Sequence, residues 1–82
     1  MKKEPELLER ITVDPRVMTG KPIIRGLRIT VAQILAAMAA GISENEILEE
    51  YPELESEDIR AVLLYARQRI DEEKVFPLSG VK

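Results

Sequence analysis

The sequence of 82 residues contains no cysteine and no histidine. Without cysteine the chain cannot form a disulfide, a thiolate nucleophile or a zinc–thiolate site, which is typical of proteins of the reducing cytoplasm. Without histidine it lacks the side chain most used for general acid–base catalysis and metal ligation. These two absences favour a non-enzymatic protein, and we expect no cofactor and no metal site.

Long apolar segments are also missing. The longest apolar stretch, residues 31–40, is about half of the roughly 20 residues that a membrane span needs. Residues 1–10 alternate lysine and glutamate around two leucines, and they lack the apolar region of a signal peptide. We therefore expect a cytoplasmic protein with no membrane partner.

The length and composition indicate one small globular domain, because 45% hydrophobic and 33% charged residues are typical of a folded soluble chain. A domain of this size buries only a modest core, so a partner subunit would add to it, and we expect a homodimer. The single domain, residues 1–82, divides into an N-terminal arm or short helix (1–10), a β-ribbon (11–30), a helix-turn-helix bundle (31–70) and a C-terminal tail (71–82).

Two short extended segments are predicted in the first third of the chain. Residues 11–13 are rich in β-branched side chains and end at Asp14-Pro15, which favours a turn. A second extended segment, residues 22–30, carries several aliphatic side chains. The two segments can pair as a hairpin or ribbon.

The first helix of the predicted bundle covers residues 31–40. Thr30 is a typical N-cap residue, and Gly41 is typical of the position just after a helix. Almost every side chain of this helix is apolar and small. Because a helix that is apolar on all sides is usually covered on more than one face, we expect it to be the central element.

Two further helices follow. Ser43 and Glu46 have the spacing of a capping box, which starts the second helix, and Pro52 ends it. The third helix begins near Glu55 or Ser56. Its apolar side chains recur at spacings of three and four residues, which predicts a core-facing stripe of Ile59, Val62, Leu63, Ala66 and Ile70.

Charge is segregated along the chain. Residues 10–30 contain five basic side chains and one acidic side chain, whereas residues 43–58 contain eight acidic side chains and no basic one. Such a chain has a basic pole and an acidic pole, and it could bind two partners of opposite charge. The alternative is that these are solvated faces of ordinary surface elements.

The order of the helices matches a helix-turn-helix unit in a three-helix, homeodomain-like bundle. Its third helix would present Arg60 and Arg67 to DNA, but its first turn carries Glu55, Glu57 and Asp58, which would repel phosphate. The basic ribbon is therefore the better electrostatic candidate for DNA contact. The predicted DNA-binding residues are Arg16, Lys21, Arg25, Arg28, Arg60 and Arg67.

Short motifs along the chain carry a family resemblance. In order, they are Asp14-Pro15, Gly20-Lys21-Pro22, Arg28-Ile29, Glu46-Ile47, Tyr51-Pro52 and residues 57–61. In this order they resemble the small prokaryotic family called domain of unknown function 433, over residues 9–78. The sequence departs from that family at two places. Leu27 stands where threonine is usual, and Glu55-Ser56 stands where Thr-Pro is usual.

The resemblance implies a homeodomain-like, VapB-like antitoxin that neutralises a PIN-like ribonuclease and, together with that toxin, represses its own operon. The alternative is a pure protein-interaction or oligomerisation module that does not bind DNA. An acidic antitoxin surface can occupy the positive cleft of a nuclease, and either residues 44–58 or the tail could supply it. We favour the tail, whose predicted partner-binding residues are Glu72, Glu73, Val75, Phe76 and Leu78.

Overall fold

We describe the protein from a computed structural model, and the structure covers residues 3–72. These residues are mainly helical, with a small two-stranded antiparallel sheet, which confirms the predicted combination of helices and a short ribbon. The elements in chain order are α1 (Glu4–Leu8), β1 (Ile11–Thr12), a short 3-10 helix (Met18–Gly20), β2 (Ile23–Ile24), α2 (Val31–Ala39), α3 (Glu44–Glu50) and α4 (Ser56–Glu72).

The sheet is shorter than the predicted ribbon. Strand β1 pairs with β2 so that Ile11 lies opposite Ile24 and Thr12 lies opposite Ile23. On its other side, Ile23 forms an isolated antiparallel bridge with Thr30. The second extended segment therefore turns back on itself after β2 instead of running straight to the first long helix.

A tight turn at Arg25 and Gly26 causes this reversal. Both residues have positive φ angles, 47° and 75°, and the Leu27 N–H donates to the Ile24 carbonyl at 2.8 Å. This is the geometry of a type I′ turn. Arginine is unusual at a left-handed position, which costs a side chain with a Cβ about 1–2 kcal/mol, so another interaction must compensate.

The predicted start of α2 is confirmed. The Thr30 hydroxyl accepts from the Gln33 N–H at 3.0 Å, and the Gln33 side chain accepts from the Thr30 N–H at 2.8 Å. These reciprocal bonds satisfy two backbone donors that the first turn would otherwise leave unpaired. After the helix, Gly41 has a φ of 89°, which a residue with a Cβ would adopt only with strain.

The expectation that α2 is the central helix is wrong. Val31 and Ile34 are its buried residues, whereas Ala32, Ala36 and Ala39 are exposed. Alanine has too little apolar surface to require burial, so the larger aliphatic side chains alone decide which face of the helix packs inward. The central helix is α4, which contacts α1, α2, α3 and β1.

The capping box of α3 is confirmed, because Ser43 and Glu46 exchange side chain–backbone hydrogen bonds of 2.9 and 3.2 Å. The apolar stripe of α4 is confirmed only at Ile59 and Val62, which are buried. Leu63 and Ile70 expose 45% and 61% of their surface. Helix α4 is more than twice as long as α3, and from Leu63 onward this side is partly uncovered within residues 3–72.

The core lies between the sheet and helices α2, α3 and α4. Helix α1 adds a separate contact, because its Leu7 is buried and the helix packs against α4. The described part of the predicted N-terminal arm is thus a packed helix. The buried residues of the main core cluster are Ile24, Ile29, Val31, Ile34, Ile47, Leu54, Ile59 and Val62.

Candidate functional site

Asp58, in the first turn of α4, is completely buried. Its Oδ1 accepts from Arg10 Nη1 at 2.8 Å and from Arg25 Nε at 3.0 Å. Its Oδ2 accepts from Arg25 Nη2 at 2.8 Å and from the Glu55 N–H at 2.7 Å. The carboxylate is therefore fully hydrogen-bonded, and the fork from Arg25 is the bidentate geometry of the strongest arginine–carboxylate pairs.

Local structure orients each of these groups, and the packing of the β-turn against α4 brings them together. Asp58 reaches back to the N–H of the residue before α4, as the acidic residue of a capping box does. The type I′ turn carries Arg25, whose N–H also donates to the Arg10 carbonyl at 2.7 Å. The Arg10 guanidinium makes a second bond, to the Glu55 carboxylate at 2.8 Å. We call Arg10, Arg25, Glu55 and Asp58 the Asp58 cluster, which has no net charge.

The hydrogen bonds of the cluster shift the pKa values of Asp58, Arg10 and Arg25. Burial alone would raise the pKa of Asp58, but hydrogen bonds from Arg25, from the Glu55 N–H and from Arg10 outweigh it and lower this pKa below its ordinary value. The pKa of Arg10 is raised by its hydrogen bonds to Glu55 and Asp58, and that of Arg25 by its bond to Asp58. Asp58, Arg10 and Arg25 are therefore charged at neutral pH.

Asp58 is the main correction to the sequence-based account of the site. We expected its carboxylate to be exposed at the first turn of the third helix and to repel phosphate, but it is buried and neutralised by two arginines. Glu55 also pairs with one of these arginines, so only Glu57 of the three acids in this turn has no ion pair within residues 3–72. The spacing of Glu55 and Asp58, from the N-cap to N3, was the available signal.

The predicted DNA-binding residues divide into two groups. In the first group the side chain already has an acidic partner. Arg25 belongs to the Asp58 cluster, Arg16 makes two bonds of 3.2 Å to the carboxylate of Asp14, and Arg67 lies 3.7–3.8 Å from two carboxylates. Arg25 is thus a structural counterion, whereas Arg16 and Arg67 are exposed side chains with weak surface pairs.

The second group is Lys21, Arg28 and Arg60. All three are exposed, and none forms an ion pair with another described residue. Arg60 lies on the outer side of α4, and Arg67 follows two turns later on the same side. These two side chains form a short basic ridge along α4.

Of the predicted partner-binding residues, Glu72 is exposed at the end of α4, with its carboxylate 3.4 Å from Arg69 Nη1. Glu73, Val75, Phe76 and Leu78 lie outside the described residues. Between residues 3 and 72, no group of three or more carboxylates converges in a way that could hold a metal ion. Over the same residues, no helix has both the length and the apolar character that a membrane crossing requires.

These features define a small helical domain whose β-turn is joined to the start of α4 by a buried carboxylate. The sequence profile of the family described as "Protein of unknown function (DUF433)" matches residues 11–66, and the chain belongs to this family. This confirms the family resemblance. No solved structure matches the chain significantly.

A similar curated protein is "Uncharacterized protein y4eO" from Sinorhizobium fredii (strain NBRC 101917 / NGR234). The two sequences are 40% identical over 58 residues, which are 71% of this chain. The same match covers only 26% of the relative. The chain therefore corresponds to about a quarter of that longer protein.

Proposed function

We propose that the protein is a non-enzymatic, cytoplasmic, homodimeric antitoxin that binds operator DNA and neutralises a PIN-like ribonuclease. The observation that supports DNA binding is the basic ridge of Arg60 and Arg67 on α4. Helix α4 follows α3 after a short connection, and α2 packs against both, which is the order of a homeodomain-like helix-turn-helix unit. In such units the exposed side of the last helix enters the major groove.

The Asp58 cluster has two opposite effects on DNA binding. It neutralises Glu55 and Asp58, which removes most of the repulsion between the first turn of α4 and phosphate. It also occupies Arg25, which removes one cation from the predicted ribbon. The DNA-binding set that the geometry supports is therefore Lys21, Arg28, Arg60 and Arg67, with Arg16 as a weaker contributor.

Arg60→Ala is expected to weaken binding to a fragment of the chain's own operator. Each neutralised phosphate adds about 0.9 to the slope of log affinity against log salt, so the variant should lose nearly one unit of slope. Titration by fluorescence anisotropy at several salt concentrations measures this slope. Arg69→Ala is the matched control, because this arginine lies on the opposite side of α4 and pairs with Glu72.

Two results would contradict the DNA-binding part. One is an absence of operator binding by the wild-type protein at low salt, with and without the nuclease. The other is an equal loss of slope in Arg60→Ala and Arg69→Ala, which would mean that net charge alone matters. In the first case the alternative function, a protein-interaction module without DNA binding, becomes the better account. In the second case the protein binds DNA, but not through the basic ridge.

The acidic pole supports the second part of the proposal. Residues 29–59 contain no lysine or arginine, and Glu49, Glu50 and Glu53 are exposed on this part of the chain. A nuclease that binds RNA presents a positive cleft, so an acidic surface can occupy it and exclude the substrate. This complementarity does not depend on DNA binding.

A small nuclease encoded beside this chain is expected to co-purify with it and to be inactive when the two are co-expressed. Electrostatic complementarity predicts that the complex forms rapidly at low salt and more slowly at high salt. Gel filtration and an RNA-cleavage assay measure binding and inhibition, and a nuclease from an unrelated operon is the control. A neighbouring nuclease that remains separate and active would remove this part of the proposal.

A further inference from the structure

We propose that the groove between α2 and α3 is the docking surface for a basic amphipathic helix of a partner protein. The inference deepens the partner-binding part of the proposed function and rests on it. It places the contact on the folded body of the domain and not in the tail. The groove encloses about 410 Å³ and is lined by Ala37, Ile42, Glu46, Ile47, Glu50 and Tyr51.

The groove offers an apolar anchor point. Ile42 exposes 43% of its surface, while Ile47 beside it is buried and Tyr51 is half-buried. Helix α2 also carries the exposed residues Ala36 and Ala39, whose small side chains allow close approach of another helix. A leucine-sized side chain that inserted here would cover Ile42 and remove apolar surface from water.

The anchor point is held rigidly. The Ile42 N–H donates to the Ala37 carbonyl at 3.1 Å, and the residue directly precedes the capping box that begins at Ser43. The positive φ of Gly41 sets the direction in which the chain enters α3. Because these local bonds fix the backbone on both sides of Ile42, a partner would pay little entropy to order the groove.

Charge selects the kind of partner. Glu46 and Glu50 are one turn apart on α3, and both line the groove. Like charges at this spacing repel each other and destabilise the helix. Neither α2, α3 nor the connection between them contains a lysine or arginine that could compensate. The hydrogen bond with the backbone of Ser43 lowers the pKa of Glu46, so its charge persists into mildly acidic solution.

The occupant must therefore supply both cations and an apolar side. Nucleic acid is disfavoured, because its phosphates would face these carboxylates. A second copy of the same groove would bring the same acids opposite each other. The outer side of α4 from a second copy carries Arg60 and Arg67, and self-association through it is an outcome that the test below distinguishes. A helix with leucines on one side and lysines or arginines on its flanks meets both requirements.

The test uses a synthetic helical peptide of roughly 15 residues, with leucines at spacings of three and four and lysines and arginines elsewhere. We expect it to bind the full chain, and Glu50→Lys and Ile42→Ser should each weaken binding about tenfold, which corresponds to about 1.4 kcal/mol. Isothermal titration calorimetry measures the affinity. Circular dichroism confirms that each variant is folded, and Glu50→Lys should fold well because lysine is favoured near a helix C-terminus.

Matched controls separate the groove from general electrostatics and from the tail. Glu9→Lys changes the net charge by the same amount as Glu50→Lys at an exposed position outside the groove, and Ile70→Ser removes an exposed isoleucine far along α4. Both should alter the affinity less than about twofold. A peptide of the same design with glutamates in place of the basic residues should not bind.

Three outcomes would overturn the proposal. They are no binding of the basic peptide, equal weakening by Glu9→Lys and Glu50→Lys, and self-association of the protein that depends on Glu50 and Ile42. Failure of the peptide test leaves operator binding and nuclease capture through the tail intact. If the peptide binds but the nuclease is not captured, the toxin part of the proposed function is wrong, and the groove remains a docking surface.

Discussion

Replacing Asp58 with alanine is expected to destabilise the protein by about 3–5 kcal/mol, because removal of one partner from a buried ion pair leaves the others unpaired. The substitution removes the carboxylate that accepts from two arginines and one backbone N–H, so that Arg10 keeps only Glu55 and Arg25 keeps only the Glu53 carbonyl. A small domain has a total stability of only a few kcal/mol. The variant should therefore be largely unfolded at room temperature, which urea denaturation followed by circular dichroism will show.

The matched control for this prediction is Glu57→Ala. Glu57 is the neighbouring acid in the same first turn of α4, but it is partly exposed and forms no ion pair with a described residue. Its loss should cost less than about 1 kcal/mol, mainly through the helix dipole. If the two variants were equally stable, the Asp58 cluster would contribute nothing beyond ordinary helix-terminal charge.

Acid titration is a second measurement of the same cluster. The pKa of Asp58 is lower in the folded protein than in the unfolded chain. The stabilisation of the fold by the Asp58 carboxylate is therefore fully present above the ordinary pKa of about 3.9. This stabilisation is lost as the pH falls from there through the lower folded value. The lowered pKa values of Asp14 and Glu46 act in the same direction. If Asp58→Asn folds, its unfolding free energy should depend less steeply on pH in this acidic window than that of the wild type.

Ile59→Ala is expected to cost about 2–5 kcal/mol, whereas Ile70→Ala should change the free energy of unfolding by less than about 0.5 kcal/mol. Both isoleucines belong to the same predicted stripe of α4, but Ile59 is 1% exposed and Ile70 is 61% exposed. The first substitution leaves a cavity in the core, and the second removes side-chain atoms that water already surrounds. Urea denaturation of the two variants measures the difference.

A large loss of stability in Ile70→Ala would contradict this expectation. It would show that another surface covers the second half of α4 in solution, such as a second subunit. Measurement at two protein concentrations would then distinguish the cases, because the stability of a dimer depends on protein concentration and that of a monomer does not.

Helix boundaries in this protein could be predicted from the sequence with good accuracy. The N-cap at Thr30 and the capping box at Ser43 are formed as expected, and α3 ends before Pro52. Each of these signals acts between residues within a single turn, through side chain–backbone hydrogen bonds or through the restricted backbone of proline. Such interactions depend little on the rest of the fold. Family membership, which depends on the order of these local motifs, was recognisable for the same reason.

The candidate DNA site was predictable only in part. The exposed cations Lys21, Arg28 and Arg60 are among the residues expected from the distribution of charge. Arg25 was expected to be one of them, but it is 33 residues from Asp58 in sequence and meets it only when the β-turn packs against α4. Charge counted along a chain cannot reveal such a pair, because the cancellation depends on distances in space.

The sequence by itself thus determined where the helices start and stop, that a short hairpin precedes them, and which segments are rich in acid or base. Only the tertiary structure decided that α4 and not the alanine-rich α2 is central, that Asp58 is buried, and that Arg10 and Arg25 are its counterions. The physical reason is the separation along the chain of the groups that interact. Capping and turn formation act between chain neighbours, whereas burial and ion pairing depend on groups that only folding brings together.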